Sequence, residues 1–331
     1  MKSHVLVVGS GSIATKHFNN LKKLLPNSTI KVYSTYANEK ILPNDLIKNI
    51  SEALEFRPFL VIIANPSNLH IQMAKQFARV GSNLLIEKPI SNSTADVEEL
   101  LNLCDQNKIS LTVGYNLRFL DSLNFFRTQV DLKIVGKPLL VKCEVGQYLP
   151  TWRNQVDYRQ TVSAKRDLGG GALLELSHEI DYLLWIFGKI NWVRATVMKQ
   201  SSLEIDVEDS AFLTLGITHP NNEDLVANLS LDFIRHDKQR NCTVIGETGS
   251  LRWDGINGHV LIMKEGSNYW ETLFSSNNTT VDTYSDELKD FIECIDSGKV
   301  PRVTGVDGLN VVKVIETALE SAPTGKQINV K

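Results

Sequence analysis

Short apolar runs alternate with amphipathic helical patterns over the first 115 residues, and this alternation constrains the fold more than any other feature of the chain. The apolar runs are HVLVVG, TIKVYST, FLVIIAN, NLLIEK and ISLTVGY. Between them, SIATKHFNNLKKLL, NLHIQMAKQFARVG and STADVEELLNLCDQN carry apolar residues at helical spacing. Unbroken apolar strands that alternate with helices are typical of a parallel sheet covered on both faces. The first part of the chain is therefore predicted to be an α/β domain.

A glycine-rich turn joins the first predicted strand to the first helix. Gly9, Gly11 and Ala14 fill the pattern G-x-G-x-x-A. In this pattern the first glycine permits a tight turn and the second lets the backbone approach a pyrophosphate, which the helix N-terminus attracts. The pattern is weak alone, but its place ahead of repeated βα units predicts dinucleotide binding. Ser12 and Ile13, at the helix start, are further expected contacts.

The other predicted strands also end in candidate cofactor contacts, because ligands of parallel sheets bind at the carboxyl ends of the strands. The candidates are Ser34, Thr35, Asn65, Pro66, His70, Glu87, Lys88 and Asn116.

The end of the second strand bears on the choice of cofactor. An NAD site usually has Asp or Glu there to bind the adenosine ribose, whereas this chain has Ser34 and Thr35, with Glu39 as the first nearby acid and Lys40 after it. Hydroxyls tolerate a 2′-phosphate that a carboxylate would repel. The predicted cofactor is NAD or NADP, with a slight preference for NADP. No obvious arginine that would bind the 2′-phosphate strengthens this preference.

The periodicity changes after about residue 120. Alternating apolar and polar residues run through KPLLVKCEVGQYL, NWVRATVMKQ, DSAFLTLGI, LVANLSLDF, RNCTVIGETGSLRWD and HVLIMKEG. This alternation is typical of an antiparallel sheet with one face on a core. Two helices are predicted near the C-terminus, in YSDELKDFIECIDSG and GVDGLNVVKVIETALESAP. We predict domains over residues 1–119 and 120–331.

The fourth strand ends in Glu87, Lys88 and Pro89. A surface ion pair is the ordinary interpretation of such a Glu-Lys pair. At the carboxyl edge of the sheet, however, a fixed ammonium can hold a substrate hydroxyl or carbonyl oxygen.

Motifs along nearly the whole chain resemble those of the Gfo/Idh/MocA oxidoreductase family. They are GSGSIATKH, ANPSNLH, EKPIS, VGYNLRF, GGGALLELSHEID, GETGSLRWD and the stretch from residue 286 to 330. The resemblance implies an α/β Rossmann domain with a C-terminal α+β domain built on an open, mainly antiparallel β-sheet, whose last helices pack back toward the Rossmann domain. It also implies a nicotinamide cofactor, hydride transfer at a carbinol of a sugar or cyclitol, and a homodimer or homotetramer formed through the C-terminal sheet.

Three glycines precede an apolar segment that carries Glu175, His178 and Asp181. On one helix, at ~100° per residue, these three side chains share a face, and that face is either an acidic solvent face or a site. The family has a histidine here, in a His-x-x-Asp unit that His178 and Asp181 match. An imidazole that titrates near ~6.5 can take a carbinol proton.

The match to the family departs at Leu174, since the family usually has an aspartate four residues before the histidine. Either Glu175 takes over this role or the acid is absent. We predict Lys88, His178 and Glu175 as the catalytic residues.

Aromatic and cationic residues share the loop GQYLPTWRNQVDYRQTVSAKRDLGGG. They suit a sugar face and an anionic group, although an ordinary surface loop would look the same. Similar loops resemble those of family members in nonulosonate and other surface-sugar pathways. The predicted substrate contacts are Lys88, Tyr115, Trp152, Arg153, Tyr158, His178 and Asp181.

The bulk properties exclude several classes of protein. A net charge of −3 gives no reason to expect nucleic acid. No window reaches the roughly 18 apolar residues that a membrane span needs. Four cysteines without CxxC spacing argue against a zinc site, so no metal is predicted, and they suggest reduced thiols in a cytoplasmic protein.

Three functions remain open at this point. The first is an NAD(P)-dependent oxidoreductase acting on a sugar, cyclitol or nucleotide-sugar. The second is a non-catalytic dinucleotide-binding regulator or scaffold, which the missing aspartate motivates. The third is a reductase of a non-sugar substrate.

Overall fold

The chain forms two compact units in the computed structural model, which describes residues 4–35, 43–153, 156–218, 224–278, 280 and 282–331. The first unit comprises residues 1–116 and 281–312, and the second comprises residues 117–280 and 313–331. The division after Asn116 differs by three residues from the predicted boundary, and residues 281–312, predicted in the second domain, belong to the first unit. Arg118, now in the second unit, pairs with Asp181 of the same unit.

A six-stranded parallel sheet forms the centre of the first unit, with the strand order β3-β2-β1-β4-β5-β6. Its elements in chain order are β1 (His4–Val8), α1 (Ser12–Leu24), β2 (Thr29–Tyr33), β3 (Leu46–Ile47), α2 (Ile50–Glu55), β4 (Leu60–Ile63), α3 (His70–Arg79), β5 (Asn83–Ile86), α4 (Val97–Asn107) and β6 (Leu111–Val113). The five predicted strands are present. The two-residue strand β3 and the short helix α2 were not predicted, because neither is long enough to show a period.

The nine-stranded sheet of the second unit has the order β14-β13-β12-β11-β7-β10-β9-β8-β15. The elements after β6 are α5 (Asp121–Asp131), β7 (Pro138–Gly146), α6 (Ala172–Glu175), α7 (His178–Phe187), β8 (Lys189–Met198), β9 (Ser210–Thr218), β10 (Asp224–Asp232), β11 (Gln239–Gly246), β12 (Gly249–Asp254), β13 (His259–Lys264), β14 (Glu271–Ser275), α8 (Thr283–Ser297), α9 (Gly305–Ser321) and β15 (Ile328–Asn329). Its pairings are antiparallel except that between β7 and β10. A Rossmann domain followed by a mainly antiparallel sheet domain is therefore confirmed.

Helix α8 packs on α1 within the first unit. Leu288 and Phe291 of α8 join Ala14, Phe18 and Leu21 of α1 in one buried cluster. Their burial follows from the helical spacing of these residues, which puts them on one face of each helix. Residues 281–312 therefore extend the nucleotide-binding half of the chain.

One face of the nine-stranded sheet is covered within the second unit. The ring of Tyr182 on α7 meets Trp253 of β12 edge-on at 5.4 Å, and the Trp253 indole donates to the Ser122 hydroxyl of α5. On the opposite face Lys142, Phe212 and Val226 are exposed. This is the alternation expected for an antiparallel sheet with one face on a core.

The segment predicted as one helix after the three glycines is two helices. Helix α6 ends at Glu175, α7 begins at His178, and Leu176 and Ser177 lie between them. Glu175, His178 and Asp181 therefore do not form a stripe along one helix. Helical periodicity alone could not show this break, because neither Leu nor Ser interrupts a helical pattern.

In the part of the chain that the structure describes, no helix is long and apolar enough to cross a membrane. Nor do the described residues contain a cluster of three or more His, Cys, Asp or Glu side chains suited to a metal ion. Cys104, Cys143, Cys242 and Cys294, all described, are buried free thiols.

Candidate active site

The glycine turn after β1 leaves room for a ligand at the start of α1. Gly9 has φ of 109° and its N–H donates to Tyr33 O at 2.9 Å, and a Cβ there would lie 2.6 Å from Ala64 O. Gly11, the N-cap of α1, has φ of −72°, and a Cβ there would meet nothing within 4 Å. Gly9 therefore serves the turn, whereas Gly11 leaves space beside the helix N-terminus, where Ser12 and Ile13 begin α1. That space suits a pyrophosphate.

Asn65, at the end of β4, presents a buried acceptor. Its Oδ1 has no hydrogen-bond partner among the described residues, and its backbone oxygen lies 2.8 Å from Nε2 of His70. Pro66 follows as the N-cap of a short 3₁₀ helix. A buried acceptor that lacks a donor is costly unless a ligand supplies one. Together with the glycine turn, it fits a bound dinucleotide.

The end of β2 carries hydroxyls and no carboxylate at its first two positions. The Ser34 hydroxyl donates to Ser10 Oγ at 2.9 Å, and Thr35 is exposed. Glu39 and Lys40 lie outside the described residues. The preference for NADP over NAD therefore stays a prediction.

Glu87, at the end of β5, forms a buried pair with His17 of α1. The His17 side chain has no exposed surface, and its Nε2 lies 2.6 Å from Glu87 Oε1. Burial raises the pKa of Glu87, but the hydrogen bond and charge of His17, and then Lys88 and His70, outweigh it and hold the pKa below its usual range. The other oxygen, Oε2, accepts the Lys88 backbone N–H at 3.2 Å. Glu87 is thus ionised and bound at both oxygens.

Glycine at position 114, after β6, makes room for the Glu87 side chain. A Cβ there would lie 3.0 Å from Oε2 and 3.2 Å from Cδ of Glu87. The close approach of the two strand ends explains why this position is a glycine.

The backbone after Lys88 is held by His70, the first residue of α3. Its Nδ1 lies 3.0 Å from the carbonyl oxygen of Pro89, and the Lys88–Pro89 peptide bond is cis. Burial lowers the pKa of His70, and its contacts with Asn65 and Pro89 oppose that shift only in part. The predicted cofactor contacts Asn65, His70 and Glu87 and the predicted catalytic Lys88 thus belong to one cluster at the carboxyl edge of the sheet.

Two predicted contacts near β6 lie in the interior. Asn116 is buried and donates from Nδ2 to Thr283 Oγ1 at 2.9 Å. Tyr115 has no exposed surface. The role of Tyr115 as a substrate contact therefore stays a prediction.

Asp181 pairs with Arg118 instead of facing a ligand. Arg118 Nη2 donates to Asp181 Oδ1 at 2.7 Å and its Nε donates to Oδ2 at 3.0 Å, with both side chains buried. Glu179, also buried, accepts from Arg240 Nε at 2.8 Å. The acids of α7 therefore lie in the core, contrary to the expectation of an acidic face, and we omit Asp181 from the substrate contacts.

Glu175 and His178 lie on either side of the break between α6 and α7, and both are half-buried. The Ser163 hydroxyl donates to Glu175 Oε2 at 2.9 Å. The half-buried Leu174 stands where the family usually has its aspartate.

The three-glycine entry to α6 accommodates Glu208, which the sequence analysis missed. Gly171 has φ of 109°, and a Cβ there would lie 2.4 Å from Glu208 Oε1. That oxygen accepts the Leu173 backbone N–H at 3.0 Å. Burial raises the pKa of Glu208, and the bond from Leu173 offsets this only in part. Gly171 therefore admits a carboxylate of the protein itself, which caps α6.

Residues of the aromatic and cationic loop before α6 line an open surface depression of about 10 Å³, which has room for roughly one water molecule. Its lining includes the predicted substrate contacts Trp152, Arg153 and Tyr158, together with Leu149, Val156, Thr161 and Ser163. The Trp152 indole donates to Gln147 O at 2.9 Å, and Tyr158 Oη accepts the Glu204 backbone N–H at 3.2 Å. Two rings are thus held in place beside a guanidinium.

A glycine turn at a helix N-terminus, a parallel sheet and a second sheet domain together are those of a two-domain dinucleotide-binding protein. Residues 3–115 match the family description "Oxidoreductase family, NAD-binding Rossmann fold", and residues 127–330 match "Oxidoreductase family, C-terminal alpha/beta domain". The chain belongs to this family, Gfo/Idh/MocA, which confirms the family predicted from its motifs. The predicted oxidoreductase class and nicotinamide cofactor are confirmed with it.

Known relatives extend over nearly the whole chain. The uncharacterised oxidoreductase YrbE of Bacillus subtilis (strain 168) is 24% identical over 98% of this chain and 96% of its own length. Myo-inositol 2-dehydrogenase of Thermotoga maritima is 24% identical over 91% of each chain. The structure of levoglucosan dehydrogenase in complex with NADH has a TM-score of 0.84 at 16% identity and covers 100% of each chain, which shows a shared fold.

Proposed function

We propose that this protein is an NAD(P)-dependent dehydrogenase that acts on a carbinol of a sugar, cyclitol or nucleotide-sugar. One observation carries the proposal: Ser163 lines the pocket with Trp152, Arg153 and Tyr158 and also binds the carboxylate of Glu175. A predicted catalytic carboxylate is thereby tied to a surface whose two aromatic rings and guanidinium can contact a sugar face.

Lys88, His178 and Glu175 have distinct proposed roles. The Lys88 ammonium holds and polarises the reacting oxygen. The His178 imidazole takes the hydroxyl proton, and the Glu175 carboxylate stabilises the charged imidazole. A bound nicotinamide would accept the hydride from the carbinol carbon.

The relatives and the pocket support a sugar-like substrate. One relative is a myo-inositol 2-dehydrogenase and one structural neighbour is a levoglucosan dehydrogenase, and both names denote polyhydroxylated rings. Arg153 beside two rings also suits an anionic group, as in a nonulosonate or a nucleotide-sugar of surface-sugar metabolism.

Reduction of cofactor by a panel of carbinols tests the proposal. Purified protein would be mixed with NAD or NADP and with myo-inositol, levoglucosan, N-acetylneuraminate or UDP-N-acetylglucosamine, and absorbance at 340 nm would be followed. We expect turnover with at least one compound, lost in Lys88→Ala and retained in Lys189→Ala, which removes an exposed lysine of the other unit. Full turnover in Lys88→Ala would overturn the assignment of Lys88.

The absence of an aspartate at Leu174 favours a second candidate, a non-catalytic dinucleotide-binding regulator or scaffold. Dinucleotide binding by fluorescence, with no reduction by any carbinol in the panel, would support this candidate. Oxidation of bound NADH by an imine or another non-sugar acceptor would instead favour the reductase.

The exposed sheet face supports self-association into a dimer or tetramer. Phe212 is 43% exposed and Val226 is 37% exposed on neighbouring strands of that face. We expect Phe212→Lys to lower the mass measured by light scattering after size-exclusion chromatography. An unchanged mass of the variant would place the interface elsewhere.

A further inference from the structure

Two buried histidines hold the backbone on either side of Lys88. On one side His17 binds Glu87 Oε1, and Glu87 Oε2 accepts the Lys88 N–H. On the other side His70 Nδ1 lies 3.0 Å from the oxygen of Pro89. The main chain that carries Lys88 is therefore fixed at the residue before it and the residue after it.

Of the two histidines, His70 is a predicted cofactor contact, whereas His17 has no expected contact with cofactor or substrate. It lies on α1, fully buried, and the ring of Tyr284 meets it edge-on at 5.6 Å. Its Nδ1 has no hydrogen-bond partner in the described part of the chain, and its Nε2 bonds Glu87 Oε1 at 2.6 Å.

Glu87 depends on this contact because its carboxylate is buried. Without a donor at Oε1, the desolvated carboxylate would take up a proton or turn toward water, and either change weakens its bond to the Lys88 N–H. The remaining charges around Glu87 are Lys16, His70 and Lys88 itself.

We propose that His17 is a positioning residue for the reaction: it acts through Glu87 to fix the backbone of Lys88, and so the place of the Lys88 ammonium. The inference rests on the proposed function, in which Lys88 holds the reacting oxygen. A shift of about 1 Å in such a group can lower a rate about a hundredfold.

Two substitutions at position 17 separate positioning from simple packing. His17→Gln keeps an N–H donor for Glu87, whereas His17→Leu keeps an apolar side chain of similar volume and removes the donor. His4→Leu is the matched control, since it removes another histidine of the same unit. The Nδ1 of His4 bonds Phe56 O at 2.7 Å and does not bond Glu87.

The first measurement needs no substrate. Competitive acetylation with acetic anhydride, followed by peptide mass spectrometry, gives the labelling rate of Lys88 relative to the exposed Lys189. We expect this ratio to rise about threefold or more in His17→Leu because the segment loosens, and to stay within about twofold of wild type in His17→Gln and His4→Leu. A smaller rise in His17→Leu, or an equal rise in His4→Leu, overturns the inference.

The second measurement is kinetic and uses the carbinol that wild type oxidises. His17→Leu should lower kcat about tenfold or more while the Kd for NADH changes less than about threefold, and His17→Gln should restore most of kcat. If wild type oxidises no carbinol but the labelling result holds, the proposed function fails and the positioning of Lys88 stands. If kcat survives in His17→Leu, the positioning role fails alone.

Discussion

Arg118 and Asp181 form a buried ion pair in which the guanidinium donates to both carboxylate oxygens, at 3.0 Å and 2.7 Å. Arg118 lies on the 3₁₀ helix that follows β6, and Asp181 lies on α7. The guanidinium carbon also lies 5.5 Å from the ring centre of Trp185. The pair therefore ties α7, the helix that begins at His178, to the start of the second unit.

Removing one partner of this pair should destabilise the protein strongly. Asp181→Leu leaves the Arg118 guanidinium buried without its carboxylate, and we expect a loss of about 3–5 kcal/mol in the free energy of unfolding. The double variant Arg118→Leu/Asp181→Leu should lose less than the single one, because no charge is left buried alone. Urea unfolding followed by circular dichroism measures both. Lys264→Met, which breaks the exposed pair with Glu271, should cost at most about 1 kcal/mol.

Gly9 and Gly11 should respond differently to alanine. Gly11→Ala meets no atom within 4 Å and keeps an ordinary φ, so its thermal midpoint should match wild type. Its methyl group would occupy the proposed pyrophosphate space, and the Kd for NADH should rise about tenfold or more. Gly9→Ala, with φ of 109° and a clash with Ala64 O, should lose about 1–3 kcal/mol of stability. Calorimetry measures the stability of both variants, and NADH fluorescence measures the Kd. A Gly11→Ala variant that binds NADH normally would contradict the assignment of the pyrophosphate space to Gly11.

Much of the fold could be predicted from the sequence because its signals are local. The five predicted strands of the first sheet are mainly apolar, and the spacing of Gly9 and Gly11 after the first of them marks the turn. The alternation along β10, where Leu225, Ala227 and Leu229 are buried, indicated an antiparallel sheet. Each of these features depends on residues that are close together in the chain, so it can be recognised from the sequence alone.

The site could be predicted only in part, because its contacts join residues far apart in the chain. His17 and Glu87 are separated by 70 residues and Arg118 and Asp181 by 63. In the sequence, the place of His17 on the apolar face of α1 was the one signal that this side chain needs a buried partner. The three glycines pointed to a close approach at α6, but they could not say that the approaching group is Glu208.

The stability contributed at Glu208 should fall as the pH rises. Burial raises the pKa of this carboxyl in the folded state, while in the unfolded chain a glutamate titrates near ~4.3. Above that pH the folded state holds a proton that the unfolded state has released, so stability at this site is lost as the pH rises from about 4.3 through the raised pKa. Glu208→Gln keeps an acceptor for Leu173 and has no such proton. Its stability relative to wild type should therefore increase between pH 5 and pH 8 in urea unfolding, whereas the exposed control Glu204→Gln should show no such trend.

A substitution of Glu175 tests whether its carboxylate replaces the aspartate that the family usually carries one position earlier. Glu175→Gln keeps an acceptor for Ser163 but removes the charge that would stabilise a protonated His178, so kcat for the carbinol should fall about tenfold to a hundredfold with little change in KM. Ser163→Ala removes only the hydrogen bond at 2.9 Å, and its loss should be smaller. Because Glu175 is half-buried at the end of α6, Glu175→Gln should keep the thermal midpoint of wild type within a few degrees. If kcat is unchanged in Glu175→Gln, the carboxylate has no part in proton transfer, and His178 works without an attendant acid at this position.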